Sequence, residues 1–175
     1  MSLHRRSLLG VAAALPLLAA GCTFRPLYRP GGNPAAAPEQ QLSAIRIVPL
    51  TDRLGQLMHN ALRNELNPGG QPSNPSYRLV LSLNETIDEI AIRRDETASR
   101  SDIILVADFR LLREGSDEQL LRASSRVTDS FDDLASAFAT EAAQDAARER
   151  NVRRLAKQVR LQLASYFASA ELRSS

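Results

Sequence analysis

The chain is poor in the residues from which most active sites are built. Its 175 residues include one cysteine, two histidines and no tryptophan. A lone cysteine excludes an internal disulfide, so packing has to hold the fold. A zinc site needs three or four His, Cys or carboxylate ligands, and no cluster in the sequence offers them. No GxSxG, no HExxH and no phosphate-cradling glycine loop occurs; Gly69-Gly70 ends a helical pattern instead of leading from a strand into a helix. The adjacent acids Asp88-Glu89, Asp95-Glu96 and Asp132-Asp133 fall in loops or at strand ends. Neighbours on a strand face opposite ways, so none of these makes a general acid/base pair. His59, beside Met58 and Asn60, reads as an ordinary helix-surface histidine. The composition therefore points away from an enzyme, a metal protein or a cofactor protein.

A long hydrophobic run is missing as well. The apolar stretch from Leu8 to Ala20 has 13 residues and includes Gly10 and Pro16. Crossing a hydrocarbon core about 30 Å thick takes about 20 apolar residues. The stretch follows Arg5-Arg6 and runs into Leu17-Leu18-Ala19-Ala20-Gly21-Cys22. That layout is a bacterial lipobox: cleavage before Cys22 leaves cysteine first, and its thiol takes a diacylglycerol thioether and its amine an acyl chain. Ala19 stands where leucine is more usual. Arg5-Arg6 fits a twin-arginine signal or an ordinary charged head, and both lead out of the cytoplasm. Residues 1–21 are expected to be removed.

Charge of one sign is not in excess either. The chain has 22 Lys+Arg against 20 Asp+Glu. Residues 1–21 hold Arg5 and Arg6 and no acid, so the mature chain is balanced at 20 to 20. Nucleic acid is excluded as a general partner, because phosphate-backbone binding needs surplus positive charge. The remaining 154 residues suffice for one domain with one core.

Pro26, Pro30, Pro34 and Pro38, with Gly31-Gly32, make residues 22–41 a lipidated start and flexible tether. Ala44 to Pro49 is a short β-branched strand. Between Asp52 and Leu66 the apolar positions Leu54, Leu57, Met58, Ala61, Leu62 and Leu66 have helical spacing, with Thr51 or Asp52 as cap and Asn67-Pro68-Gly69-Gly70 as stop. Tyr77, Leu79, Leu81, Leu83 and Ile87 alternate along a half-buried strand continuing through Ala91-Ile92. Arg93 to Glu96 is a charged hairpin tip. Ala98 to Arg113 is the next strand, Glu114 to Asp117 a turn, and Gln119 to Ser130 a fourth strand. From Leu134 to Leu172 there is no Pro or Gly, and Val152, Leu155, Val159, Leu163, Tyr166 and Ala170 form one helical stripe.

The order β-α-β-β-β-α over residues 42–175 predicts an α+β two-layer sandwich, a four-stranded mixed sheet with two helices on one face. Arg122, Ser124, Arg126 and Thr128, with Val80, Ile104 and Val106, would lie on the uncovered face. That mixture is neither core nor ordinary surface and marks a candidate interface.

The lipobox followed by Phe24-Arg25-Pro26-Leu27-Tyr28 resembles the start of alphaproteobacterial lipopolysaccharide-assembly lipoproteins, the LptE family. So do Asp52-Arg53-Leu54-Gly55-Gln56, Leu62-Arg63-Asn64-Glu65-Leu66, Glu96-Thr97-Ala98-Ser99-Arg100, Asp129-Ser130-Phe131, Phe138-Ala139 and Asp145-Ala146-Ala147-Arg148, in that order. The resemblance implies a non-catalytic lipoprotein on the periplasmic side of the outer membrane, plugging the β-barrel LptD and assisting delivery of lipopolysaccharide. Thr23 after the anchor cysteine agrees with that sorting. It also implies lipopolysaccharide-binding basic side chains near the hairpin and on the strand beyond, which match Arg93 or Arg94, and Arg126. The second reading is a lipid-anchored periplasmic binding module, for instance an accessory lipoprotein of a transporter.

Overall fold

The computed structural model describes residues 38–92 and 99–174. Cys22, most of the tether and the hairpin tip with Arg93 and Arg94 lie outside the described residues. The elements run α1 (Pro38–Ser43), β1 (Ile45–Ile47), α2 (Arg53–Leu66), β2 (Tyr77–Ile92), β3 (Ser99–Arg113), β4 (Gln119–Asp133) and α3 (Ala137–Ser174). The predicted α+β sandwich with a four-stranded mixed sheet is present, and one further helix is added to it.

That addition corrects the sequence reading, which ran the tether through Gln41. Proline is tolerated in the first turn of a helix, where its missing N–H has no intrahelical partner in any case. Pro38 opens α1 in that way. The helix is short but tied down: Leu42 is buried, Tyr77 Oη donates to Gln41 Oε1 at 2.8 Å, and Arg160 Nη2 donates to Glu39 Oε1 at 2.8 Å.

The sheet order is β1-β2-β3-β4. β1 runs parallel to β2, as a strand-helix-strand crossover requires, and the other two pairings are antiparallel. Register places Leu79, Leu111 and Leu121 in one row, then Leu81, Phe109 and Ala123, then Leu83, Ala107 and Ser125. These rows face the helices. The core lies between them and the α3 stripe, whose Val152, Leu155, Val159 and Leu163 are buried. Met58, Leu62 and Leu66 close it from α2. Tyr77 meets Phe167 in a tilted ring contact, with 5.0 Å between centroids.

Asp52 is the N-cap of α2, although its side chain makes no capping bond. Just inside, Gly55 is buried against the incoming chain, where a Cβ would overlap Leu50 Cβ and Asp52 Oδ1. Asn67 ends the helix and donates through Nδ2 to the Ser43 and Ile45 carbonyls at 3.1 and 3.2 Å. It thereby joins α2 to the first strand.

Two inward positions differ from the alternation read in the sequence. Glu85 faces the helices between Leu83 and Ile87, across from Leu105. Ile87, expected in the core, is 43% exposed. The residue completing its row from β4 is Asp129, which engages arginines of α3 instead of adding apolar cover.

Candidate functional site

The functional candidate is the sheet face turned away from the helices. Among the described residues its side chains stay open to solvent: Ser82, Asn84, Asp108, Arg110, Arg122, Ser124, Arg126 and Thr128 are exposed. Val80, Ile104 and Val106 among them are half-buried. Strands produce this composition because successive side chains alternate between faces, so one face can be core and the other an interface.

The face is graded in charge. At its β1 end Arg46 lies beside Arg78 in register, and each is neutralised, Arg46 by Glu114 at 2.7 Å and Arg78 by Asp117 at 3.2 Å. One row further, Arg110 and Arg122 stand directly opposite each other beside Val80. Arg126 shares a row with Val106 and Asn84. Towards the hairpin tip the sign changes. Asp88 and Asp102 are opposite each other, and Ser130 Oγ donates to Asp102 Oδ1 at 2.5 Å. Asp132 then pairs in register with Arg100.

The helix-facing side handles its charges differently. Arg148 of α3 binds Glu85 through Nε and Nη2, each at 2.9 Å, and also contacts Asp145. The hydrogen bond donated to Glu85, helped by both carboxylates' charges and opposed by burial, raises the guanidinium's pKa above its ordinary value. Asp129 receives Arg150 Nε at 2.6 Å and Arg154 Nη2 at 2.9 Å. Burial pushes its carboxyl up, but the two arginines outweigh that and hold it below the usual aspartate range. Gln162 Nε2 donates to Ser125 Oγ at 2.9 Å. These charges fasten α3 to the sheet. Among the described residues, Arg110, Arg122 and Arg126 have no carboxylate within ion-pair distance.

Of the predicted site residues, Arg126 therefore lies on the open face, and Cys22, Arg93 and Arg94 fall outside the described residues. The reading of the residues placed Arg122 on this face but passed over Arg110. Counting back across the Glu114–Asp117 turn sets Arg110 against Leu121; a register shift at Leu111/Leu112 brings Arg122 opposite it instead. His59 is half-buried on α2; burial first, then the charge of Arg63, lowers its pKa. No group of three or more His, Cys, Asp or Glu among the described residues is placed to hold a metal ion.

A family model described as lipopolysaccharide-assembly, LptE, matches residues 40–163. Among solved structures, a protein of Caulobacter crescentus CB15 described as a lipoprotein superposes with a TM-score of 0.63 at 27% identity, covering 76% of this chain and 97% of that one. The rare lipoprotein B of Shewanella oneidensis gives a TM-score of 0.52 at 13% identity, covering 73% and 96%, a likeness of fold alone. No curated protein matches the chain.

Proposed function

We propose, since the chain belongs to the LptE lipopolysaccharide-assembly family, that it serves an LptD-type outer-membrane barrel as a lipid-anchored plug and helps pass lipopolysaccharide to the cell surface. The family is non-enzymatic and has no known cofactor. In this reading residues 1–21 are removed and Cys22 carries the acyl chains. Residues 23–37 then tether the domain on the periplasmic side of the outer membrane.

The observation that supports this reading best is the bare sheet face. The three helices among the described residues and the core lie on the other side, so the open face is free to meet a ligand or a barrel wall. It carries Arg126 without a carboxylate partner among the described residues. Arginine suits phosphates and carboxylates, because its planar fork matches their oxygens two at a time. Lipopolysaccharide presents both groups. Arg93 and Arg94, on the segment joining β2 to β3, are the second basic contact in this reading.

The test has two parts. The lipoprotein is isolated from outer membranes of its host, and what accompanies it is identified; a large barrel protein is expected, and its absence sinks the plug role. The N-terminal peptide is weighed by mass spectrometry, with an acylated Cys22 as the expected result. Charge reversal at Arg93, Arg94 and Arg126 together should weaken lipopolysaccharide binding while circular dichroism stays unchanged. Full binding by that triple variant removes the arginines from the site.

A further inference from the structure

Arg110 and Arg122 face each other across β3 and β4 on the open face. Directly opposed residues bring their Cβ atoms within about 5.5 Å, and like charges so placed repel. Two other pairs of neighbouring arginines are neutralised: Arg46 and Arg78 each have an acid, and Arg150 and Arg154 share Asp129. Arg110 and Arg122 share none among the described residues. The same two residues, with Val80, Ser82 and Asp108, line a shallow hollow of about 260 Å³. Asp108 reaches neither guanidinium as an ion pair, although all three border one space. A hollow of this kind offers two planar cations, one acceptor-only carboxylate and a small apolar wall.

We propose that this hollow is a subsite for a phosphorylated sugar, with Arg110 and Arg122 on the phosphate and Asp108 accepting from a sugar hydroxyl or amine. The charges favour that ligand over a bare anion. A simple phosphate would use the arginines and be repelled by Asp108, whereas a sugar phosphate gives the carboxylate donors to accept from. Val80 supplies the surface on which a sugar ring lies. The subsite is separate from Arg126, which is four residues along β4 and so about 13 Å away. The inference deepens the lipopolysaccharide reading and rests on it.

The test titrates the full chain with glucosamine 1-phosphate, unphosphorylated glucosamine, inorganic phosphate and purified lipopolysaccharide, following heat and thermal stabilisation, which ligand binding to the folded state produces. The expected result is binding of the sugar phosphate, at least tenfold tighter than of phosphate or glucosamine, and lost in Arg110→Gln/Arg122→Gln. Lipopolysaccharide affinity should fall at least tenfold in the same variant. Asp108→Asn should lower the preference of sugar phosphate over inorganic phosphate. Because removing a like-charge pair relieves repulsion, the double variant should melt no lower than the parent, which keeps the test separate from misfolding.

Inorganic phosphate binding as tightly as the sugar phosphate overturns the assignment in favour of a plain anion site. Lipopolysaccharide binding that survives the double variant but fails in the Arg93/Arg94/Arg126 reversal overturns the subsite and leaves the proposed function standing. A double variant that keeps every ligand but no longer accompanies the barrel assigns the arginine pair to a protein partner and also overturns it. Absence of lipopolysaccharide binding in the parent chain, with sugar phosphate still bound, instead defeats the lipopolysaccharide reading.

Discussion

The Arg148 guanidinium grips Glu85 with two parallel bonds, Nε to Oε2 and Nη2 to Oε1, both 2.9 Å long. The two residues lie 63 positions apart, and both side chains are about four-fifths removed from solvent, at 21% and 18% exposure. Glu85 occupies a helix-facing position on the sheet, so α3 is fixed there by a directional clamp where an apolar contact would otherwise serve.

Removing Glu85 leaves the guanidinium's Nε and Nη2 without that acceptor, with Asp145 still on Nη1. Glu85→Ala should therefore cost about 2–3 kcal/mol, in the range of charged hydrogen bonds in partly buried sites. Glu85→Leu/Arg148→Leu should cost much less than the sum of its single changes, since a shape-matched apolar pair needs no compensation. Chemical denaturation of the four members of that cycle measures the coupling. Additive single and double effects would mean the clamp contributes nothing.

The α3 stripe is core. Leu155 and Leu163 are each 0% exposed. Leu155→Ala and Leu163→Ala should each destabilise the fold by about 2–5 kcal/mol, from lost transfer free energy and the cavity left behind. Thermal melts read this directly, and an unchanged midpoint in both would contradict the packing.

Gly55→Ala should be destabilising even though alanine favours helix. The added methyl meets Leu50 Cβ and Asp52 Oδ1, and Leu50 cannot retreat without shifting the chain that enters α2. Overpacking of this kind costs about 1–3 kcal/mol. The check is a denaturation curve; a gain in stability, as expected for glycine to alanine at an open helix position, would show the entry segment to be free to move.

Stability should fall with pH in two windows. His59 resists protonation in the folded state, through burial and then the charge of Arg63. The unfolded chain takes up that proton near pH 6.5, so its contribution is full above that value and lost as pH falls below it. His59→Gln should flatten the melting temperature between about pH 7 and pH 5. Asp129 is shifted the same way by its two arginines, against the effect of burial. Its contribution is present above the unfolded value of 3.8 and lost as pH falls through the lower folded value. The gap in melting temperature between parent and Asp129→Asn should accordingly narrow below about pH 4.

Most of the fold was legible in the sequence. The alternation through Leu79 and Leu81, the three-and-four spacing from Val152 to Leu163, and the stops at Asn67 and Glu114–Asp117 gave the elements and their order. Burial imposes those periods locally, so a reader of the chain can recover them without knowing what each element packs against. The open face was legible for the same reason, since Arg122, Ser124, Arg126 and Thr128 alternate with core residues on β4. The α1 helix was not, because six residues carry too little pattern to outweigh a proline that suggests a tether. Its stability comes from Leu42, Gln41 and Glu39 meeting residues far along the chain.

By itself, then, the sequence determined most of the residues that would be inside, Ile87 apart, and which face would stay bare. Only the tertiary structure decided that Glu85 could face inward, that Asp129 would hold two arginines, and that Arg110 would stand opposite Arg122. The physical reason is that the cost of a charge depends on the partner set beside it, a neutralising one for Glu85 and Asp129 and a like charge for Arg110. That partner is fixed by strand register and helix placement, which no single stretch of sequence contains.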